Sequence, residues 1–185
     1  LVQWTKTRTG WDSAKNLYWT NKTTPYDFYA FYPYAEATSV ESVPMPSLEG
    51  QKGTVEGLSD CDFLAAYTNQ SYGTDGTVSF TGPDASFKHV SSLVVVTIKG
   101  NCDLAASVIK SISFSADDIA SGTTYSFTTK TTSVIDGKEV DEMKSSDLNF
   151  QMVGEDKTFY FILNSGISLS DITFCLRYST DGVSY

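Results

Sequence analysis

His89 is the single histidine of this 185-residue chain, and its side chain type is the one best suited to acid–base chemistry near neutral pH. A histidine acts as a general base only when a nucleophile or an acid is arranged around it. The neighbouring Ser91 and Ser92 do not form a Ser-His-Asp order with a strained elbow. We therefore predict a protein that is not an enzyme, and we expect His89 to hydrogen-bond the backbone of a turn.

Two pairs of aspartates supply the oxygen ligands that calcium prefers. Asp60 and Asp62 flank a cysteine, and Asp117 is followed by Asp118. Neither pair matches the Asp-x-Asp-x-Asp-Gly pattern of a calcium loop, so we interpret both as acidic loops in contact with solvent.

The three cysteines are Cys61, Cys102 and Cys175, a number that does not allow all of them to pair within the chain. They are too widely spaced for a Cys-x-x-Cys zinc motif, and the chain has one histidine. We interpret them as small apolar side chains, with Cys175 expected on the polar side of its strand. The prediction is no catalytic, cofactor-binding or metal-binding residue and no cofactor.

Aromatic residues could form a platform on which sugar rings stack. The chain has three tryptophans, Trp4, Trp11 and Trp19, and 11 tyrosines. Aromatic residues that alternate along a strand favour half-buried, pleated surfaces, so we expect most of them in the core. A carbohydrate-binding cell-surface module is the alternative function, and it requires two or three rings exposed together.

Charge and composition exclude several classes of partner. The formal charge is −9, from 13 basic and 22 acidic residues, and such a surface repels nucleic acid and anionic lipid. The longest apolar run, residues 63–67, is far shorter than the roughly 20 residues of a membrane span. Few cysteines together with abundant Ser, Thr, Tyr and Gly are typical of a secreted bacterial β-protein.

The segment 77–99 is the centre of the predicted fold. Val78 and Phe80 alternate along a short strand, and Gly82-Pro83-Asp84 follows as a turn. The run from Leu93 to Ile98 is β-branched and carries no charge. Such a run predicts a strand that is buried on both faces in the middle of a sandwich.

The rest of the chain alternates between apolar and polar residues in short segments separated by turn signals. We predict further strands at 26–34, 61–68, 106–114, 123–128, 148–152, 159–163 and 172–178, and an extended surface loop at 35–57. About nine or ten short strands predict one domain over residues 1–185. The expected fold is all-β, an antiparallel two-sheet β-sandwich of Greek-key, transthyretin-like form.

Four motifs occur in a defined order along nearly the whole chain. They are Tyr18-Trp19 with Asp27-Phe28-Tyr29-Ala30-Phe31-Tyr32-Pro33, then Asp62-Phe63-Leu64-Ala65-Ala66, then Val78-Ser79-Phe80 with Phe87-Lys88-His89-Val90-Ser91-Ser92, and Tyr160-Phe161-Ile162-Leu163 with Leu169-Ser170-Asp171-Ile172-Thr173. This order resembles the fimbrillin family, the surface fimbrial subunits of Bacteroidetes-type bacteria. The match is to the N-terminal domain of that family.

The chain departs from the family pattern at several positions. Ser91 stands where the family usually has an apolar residue, and Asn164 follows Ile162-Leu163 where the family often has proline. Family members usually have further strands before this region and a second domain after it. The resemblance therefore implies an N-terminal-like domain without its upstream strand or its partner domain, which would leave an open edge or groove.

The resemblance implies a structural fimbrial, pilin-like subunit or surface adhesin that assembles through donated β-strands. Its partners would be other copies or other fimbrial subunits, with a host protein or a glycan as a receptor, and neither nucleic acid nor a membrane span. Its location would be extracellular, on the bacterial cell surface or fimbrium, after export as a lipoprotein precursor anchored in the outer membrane.

Overall fold

The computed structural model describes residues 2–6, 8, 11–13, 15 and 17–180. Its strands are, in chain order, β1 Thr5–Lys6, β2 Trp11–Asp12, β3 Tyr26–Tyr32, β4 Val43–Pro44, β5 Leu64–Gln70, β6 Lys88–His89, β7 Ser92–Ile98, β8 Val108–Ser115, β9 Thr123–Ser126, β10 Thr131–Val134, β11 Met143–Lys144, β12 Phe150–Gln151, β13 Lys157–Leu163 and β14 Thr173–Ser179. Helical structure within these residues comprises α1, Val55–Leu58, and a 3-10 turn at Leu169–Asp171. No helix in the described part of the chain is long and apolar enough to cross a membrane.

All described strand pairs are antiparallel. β8 is the centre of the largest sheet, with β14 along one edge and with β11 and β12 sharing the other. β3, β5 and β6 form a second sheet, β4, β9 and β10 a third, and β7 pairs with β13. β1 and β2 form a separate hairpin.

Two apolar clusters fill the space between these sheets. The larger one joins the β8 sheet to the β7–β13 pair, where the Phe114 and Phe161 rings lie 5.3 Å apart. The smaller one lies between the β3–β5–β6 sheet and the β4–β9–β10 sheet, with the Phe63 and Tyr125 rings 5.9 Å apart. Sheets packed face to face over apolar side chains confirm the predicted all-β, antiparallel sandwich.

Several predicted strands are confirmed with small shifts of their ends. β3 ends at Tyr32, directly before Pro33, whose missing N–H cannot continue a ladder. β5, β8, β9, β13 and β14 also lie within a few residues of the predicted ranges. Apolar or aromatic side chains recur at about every second position in these segments, which is why the sequence predicts them.

The strand that is buried on both faces is β8, so the prediction for residues 93–98 was wrong. Leu93 is 54% exposed and Val95 is 51% exposed, because one face of β7 lies open. In β8, apolar side chains fill one face, and Ser111 and Ser113 are buried on the other. The serines give β8 an amphipathic appearance in the sequence although both of its faces are covered.

The segment 35–57 is not a surface loop, which corrects a second prediction. Val43 lies in β4, and Val43, Met45 and Leu48 are buried in the two apolar clusters. The backbone of Met45 donates to the carbonyl of Thr123, 3.0 Å away. The segment has little regular structure of its own, but its apolar side chains complete both cores.

Residues 77–81 do not form the predicted strand. The backbone of Ser79 is bound instead by the side chain of Gln70, which donates to its carbonyl at 2.5 Å and accepts from its N–H at 3.2 Å. The following turn is confirmed, since Ser86 N–H donates to the carbonyl of Gly82 at 3.1 Å.

Candidate functional site

β7 has a free edge. On one side, all seven residues from Ser92 to Ile98 pair with β13, from Leu163 back to Lys157. On the other side, no backbone hydrogen bond joins β7 to any described residue. A strand edge of this kind presents a row of N–H and C=O groups that can pair with another chain.

The other edge of the same two-stranded sheet is covered by the segment at the end of the 35–57 region. Tyr160 N–H donates to the carbonyl of Gly53 at 3.1 Å. The side chain of Gln51 binds both backbone groups of Ile162. The β7–β13 pair is therefore closed on the β13 side and open on the β7 side.

An apolar groove of about 310 Å³ lies beside the free edge. It is formed by β7, β8, β14 and the residue that precedes β14, and its lining consists of Val94, Val95, Val96, Phe114, Ile172 and Phe174. No polar side chain among the described residues lines it. Phe174 is 45% exposed, and its ring centroid lies 5.9 Å from that of Phe114. The groove thus places exposed apolar surface next to unpaired backbone groups.

The sequence placed the groove residues in predicted strands but did not indicate that they form a groove. Phe174 and Leu176 alternate with polar residues in β14, and this pattern ordinarily indicates a face turned toward the core. Phe174 is instead 45% exposed, and no strand among the described residues covers the outer side of its ring. Alternation identifies an apolar face but does not reveal whether another strand covers it.

His89 is exposed and is paired with a carboxylate. Its Nδ1 lies 2.8 Å from Asp62 Oδ2 and 3.0 Å from Asp62 Oδ1, while 72% of the side chain is exposed. The expectation that His89 binds the turn backbone was therefore wrong. The carboxylate belongs to Asp62, two residues before β5. Asp62 and His89 are 27 residues apart in the sequence, so the sequence pattern does not indicate that they are in contact.

The two serines near His89 are placed differently from each other. Ser92 is exposed at the start of β7. The Ser91 hydroxyl is buried and has no hydrogen-bond partner among the described residues. Because the His89 ring bonds Asp62 and not a serine, these residues do not form a nucleophile–base pair in the structure.

Three of the four aspartates considered as calcium ligands have different partners. Asp60 forms an ion pair with Lys52 at 3.6 Å, and Asp62 pairs with His89. The carbonyl of Asp118 accepts from the Asn164 amide at 2.9 Å. Among the described residues, no group of three or more His, Cys, Asp or Glu side chains could hold a metal ion.

The three cysteines are unpaired and differ in exposure. Cys61 is buried, and burial raises the pKa of its thiol, with the charge of Asp60 adding to the effect. Cys102 is half-buried, and Cys175 is exposed, as its parity in the strand predicts. None of the three forms a disulfide.

Trp4 and Trp19, the tryptophans whose side chains the structure describes, do not form an exposed row. Trp19 packs edge-on against Tyr26 and Tyr72, with ring centroids 5.8 Å away in both cases, and its Nε1 donates to the carbonyl of Gly76 at 2.9 Å. Trp4 is exposed, and the side chain of Trp11 lies outside the described part of the chain. Trp19 thus ties the segment before β3 to the 72–76 turn.

Comparisons with known proteins agree with this architecture. A sequence model of the family described as "fimbrillin-like" matches residues 2–183. The structure is similar, with a TM-score of 0.52 and 13% identity, to the crystal structure of a protein provisionally assigned to cell adhesion, from Bacteroides ovatus ATCC 8483. That likeness covers 96% of this chain and 66% of the other. The sequence matches no curated protein.

Proposed function

This chain belongs to the fimbrillin-like family, and we propose that it is a non-enzymatic subunit of a surface fimbrium, or a surface adhesin, that joins its neighbours through donated β-strands. The observation that carries the proposal is the free edge of β7 beside the apolar groove. Membership of the family supports assembly with other subunits and a location at the bacterial cell surface.

The proposed occupant of the groove is a β-strand from another copy of the protein or from another fimbrial subunit. Its backbone would continue the sheet beyond β7, with hydrogen bonds along the seven residues from Ser92 to Ile98. Because successive side chains of a strand point to opposite faces, every second residue would enter the groove. Apolar residues at those positions would cover Val94, Val96 and Phe174. Each large apolar side chain that becomes fully buried would contribute about 1.5–3 kcal/mol to the free energy of binding.

The donor strand explains a feature of β7 that is otherwise unfavourable. An uncharged apolar edge strand is a site of aggregation in a soluble protein, and natural proteins usually protect such edges with charges, prolines or covering loops. β7 has none of these within its seven residues. In the proposal the region is one domain of a longer subunit, exported as an outer-membrane-anchored precursor and completed by its neighbour in the fimbrium.

The test uses a strand supplied as a peptide. The probe is a synthetic heptapeptide, Thr-Val-Thr-Val-Thr-Val-Thr, and its control has serine in place of each valine. Each is titrated into the isotope-labelled chain while amide resonances are followed by NMR. We expect the valine peptide to shift the β7 amides and to protect from hydrogen exchange those N–H groups of β7 that face away from β13.

Phe174→Ser removes apolar surface from the groove and leaves the β7–β13 ladder unchanged. It should weaken binding of the valine peptide by about tenfold. Val153→Ser is the matched control, since Val153 is an exposed apolar residue that does not line the groove. Sizing with light scattering completes the test: self-association should fall in Phe174→Ser and persist in Val153→Ser. Equal binding of the serine peptide, or shifts that avoid β7, would contradict strand donation at this edge.

A further inference from the structure

A second concavity lies in the other half of the sandwich. It has a volume of about 340 Å³ and is enclosed by β5, β6, the β9–β10 hairpin and the loops at residues 84–86 and 165. It shares no lining residue with the groove beside β7. We infer that this cleft binds an acidic saccharide, a sugar ring or short oligosaccharide that carries a carboxylate.

The charge of the cleft is opposite to that of the chain. Lys88 and Lys130 line it, and Asp84 is the single acidic residue among the described residues of the lining. Neither lysine forms an ion pair with a carboxylate in the described part of the chain. Two unpaired ammonium groups within a chain of net charge −9 form a local site for an anion.

His89 also lines the cleft, but its Nδ1 is bound to Asp62, and that pair is already satisfied. The anion would therefore be bound by Lys88 and Lys130. A long polyanion is disfavoured, because charge beyond the cleft would meet the acidic surface of the rest of the chain.

Hydroxyl groups form part of the wall of the cleft. Ser86, Thr131, Thr132 and Ser165 contribute to the lining, and the Thr132 and Ser165 hydroxyls lie 2.6 Å apart. A hydroxyl can both donate and accept, so such a wall matches the hydroxyls of a sugar in either direction. A volume of this size lies within the range of about 300–1,000 Å³ for small-molecule sites.

Aromatic rings continue the site beyond the cleft. Tyr67 lines the cleft, and its ring lies 5.3 Å from that of Tyr29, with an angle of 34° between the planes. These two tyrosines are register partners on β3 and β5, and the next pair on the same face is Asp27 with Asn69. The Tyr67 ring offers an apolar surface to the C–H face of a pyranose. Its hydroxyl donates to the Asp27 carboxylate, which also accepts from the Asn69 amide, so these three side chains hold the ring in place beside the cleft.

This combination favours a saccharide over an acidic peptide. A carboxylate-bearing peptide would use the lysines, but it has no array of hydroxyls for the wall formed by Ser86, Thr131, Thr132 and Ser165. An acidic sugar presents a carboxylate, several hydroxyls and an apolar face in one ring, and the cleft offers a counterpart for each.

The experiment measures binding of defined probes to the intact chain by calorimetry, with NMR to locate the site. The acidic probes are 3′-sialyllactose and trigalacturonate, and their neutral counterparts are lactose and the methyl ester of trigalacturonate. Triglutamate tests a peptide carboxylate. We expect at least one acidic saccharide to shift resonances of β5, β6 and the β9–β10 hairpin, with affinity at least about tenfold above that of its neutral counterpart.

Single substitutions then identify the lysines. Lys88→Ala and Lys130→Ala should each lower the affinity for the acidic saccharide by about tenfold. Lys88→Arg should retain binding, because it keeps the positive charge. Lys144→Ala is the matched control, because Lys144 is an exposed lysine on β11 and does not line the cleft. The inference is overturned if no acidic saccharide shifts the cleft resonances, if the neutral counterpart binds equally well, or if triglutamate binds as tightly as the sugars.

Discussion

The side chain of Gln51 takes the place of a β-strand beside Ile162. Its Nε2 donates to the carbonyl of Ile162 at 2.7 Å, and its Oε1 accepts from the N–H of Ile162 at 2.7 Å. The same Nε2 also donates to the carbonyl of Leu48 at 3.0 Å. Gln51 is 7% exposed, so all of these groups are satisfied out of reach of water. One amide side chain closes the edge of β13 and anchors the segment that completes the core.

Gln51→Leu keeps the approximate size of the side chain and removes every one of these hydrogen bonds. Each buried backbone group left without a partner costs about 1–3 kcal/mol, so we expect a loss of about 3 kcal/mol in the free energy of unfolding. Urea denaturation followed by circular dichroism measures it. Gln3→Leu, at an exposed position, should stay within about 0.5 kcal/mol of the parent. A small effect of Gln51→Leu would mean that water or another strand can satisfy Ile162.

Two glutamines explain why part of the fold could not be predicted. Gln51 lies in a segment with weak pattern, and Gln70 binds both backbone groups of Ser79 in the same manner. In each case a side chain supplies the hydrogen bonds that the sequence pattern would assign to a neighbouring strand. Alternation predicts β-strands well, but contacts between a glutamine and a backbone group 111 or 9 residues away leave no trace in it.

The sequence indicated that the site would be an open strand edge, but it did not indicate which strand has that edge. The resemblance to fimbrillins predicted an open edge, whereas the sequence pattern placed residues 93–98 in the middle of the sandwich. The run Val94-Val95-Val96 has the composition of a central strand, yet only Val94 and Val96 pack against the core. An edge strand that accepts a partner needs the same apolar residues as a buried one, so composition cannot separate the two.

Ser91→Ala should stabilise the fold. The Ser91 hydroxyl is buried without a partner, and an unsatisfied buried polar group costs about 1–3 kcal/mol. Alanine removes that group with little change in volume, so we expect a gain of about 1 kcal/mol. Ser92→Ala, one residue further on at an exposed position, is the control and should change little. A loss of stability in Ser91→Ala, measured by urea denaturation, would show that the hydroxyl does have a bonding partner.

Asp27 should make stability depend on pH in the acid range. Hydrogen bonds from Asn69 at 2.6 Å and from Tyr67 at 2.7 Å lower the pKa of this carboxyl. A group whose pKa is lower in the folded state than in the unfolded state stabilises the fold above the unfolded value, about 3.9 for aspartate. That contribution is lost as pH falls through the folded-state pKa.

The comparison with Asp27→Asn isolates this effect. The urea midpoint of the parent should exceed that of the variant above about pH 4, and the difference should shrink as the pH is lowered. Tyr67→Phe removes one of the two donors and should reduce the pH dependence without abolishing it. A difference between parent and Asp27→Asn that is constant across the acid range would show that these hydrogen bonds do not favour the ionised form.

Lys130 occupies a backbone conformation that suits glycine. Its φ is +59°, in the left-handed region, and its N–H donates to the carbonyl of Ser126 at 2.8 Å to close the turn between β9 and β10. A residue with a side chain pays about 1–2 kcal/mol in this region. Lys130→Gly should therefore stabilise the fold. The change also removes the cation–π contact of the Lys130 ammonium group, 5.8 Å from the Tyr67 ring centroid, and that loss subtracts about 0.5 kcal/mol from the gain.

The expected net gain in the free energy of unfolding for Lys130→Gly is about 0.5–1.5 kcal/mol by urea denaturation. Lys144→Gly, in the extended β11, should lose about 0.5–1 kcal/mol. The same Lys130→Gly change removes an ammonium group from the cleft, so a gain in stability should accompany weaker binding of the acidic saccharide. A lysine whose side chain is needed for binding would be kept in spite of its backbone strain. Destabilisation by Lys130→Gly would contradict this prediction. It would mean that packing of the lysine side chain stabilises the hairpin by more free energy than the backbone strain at φ +59° costs.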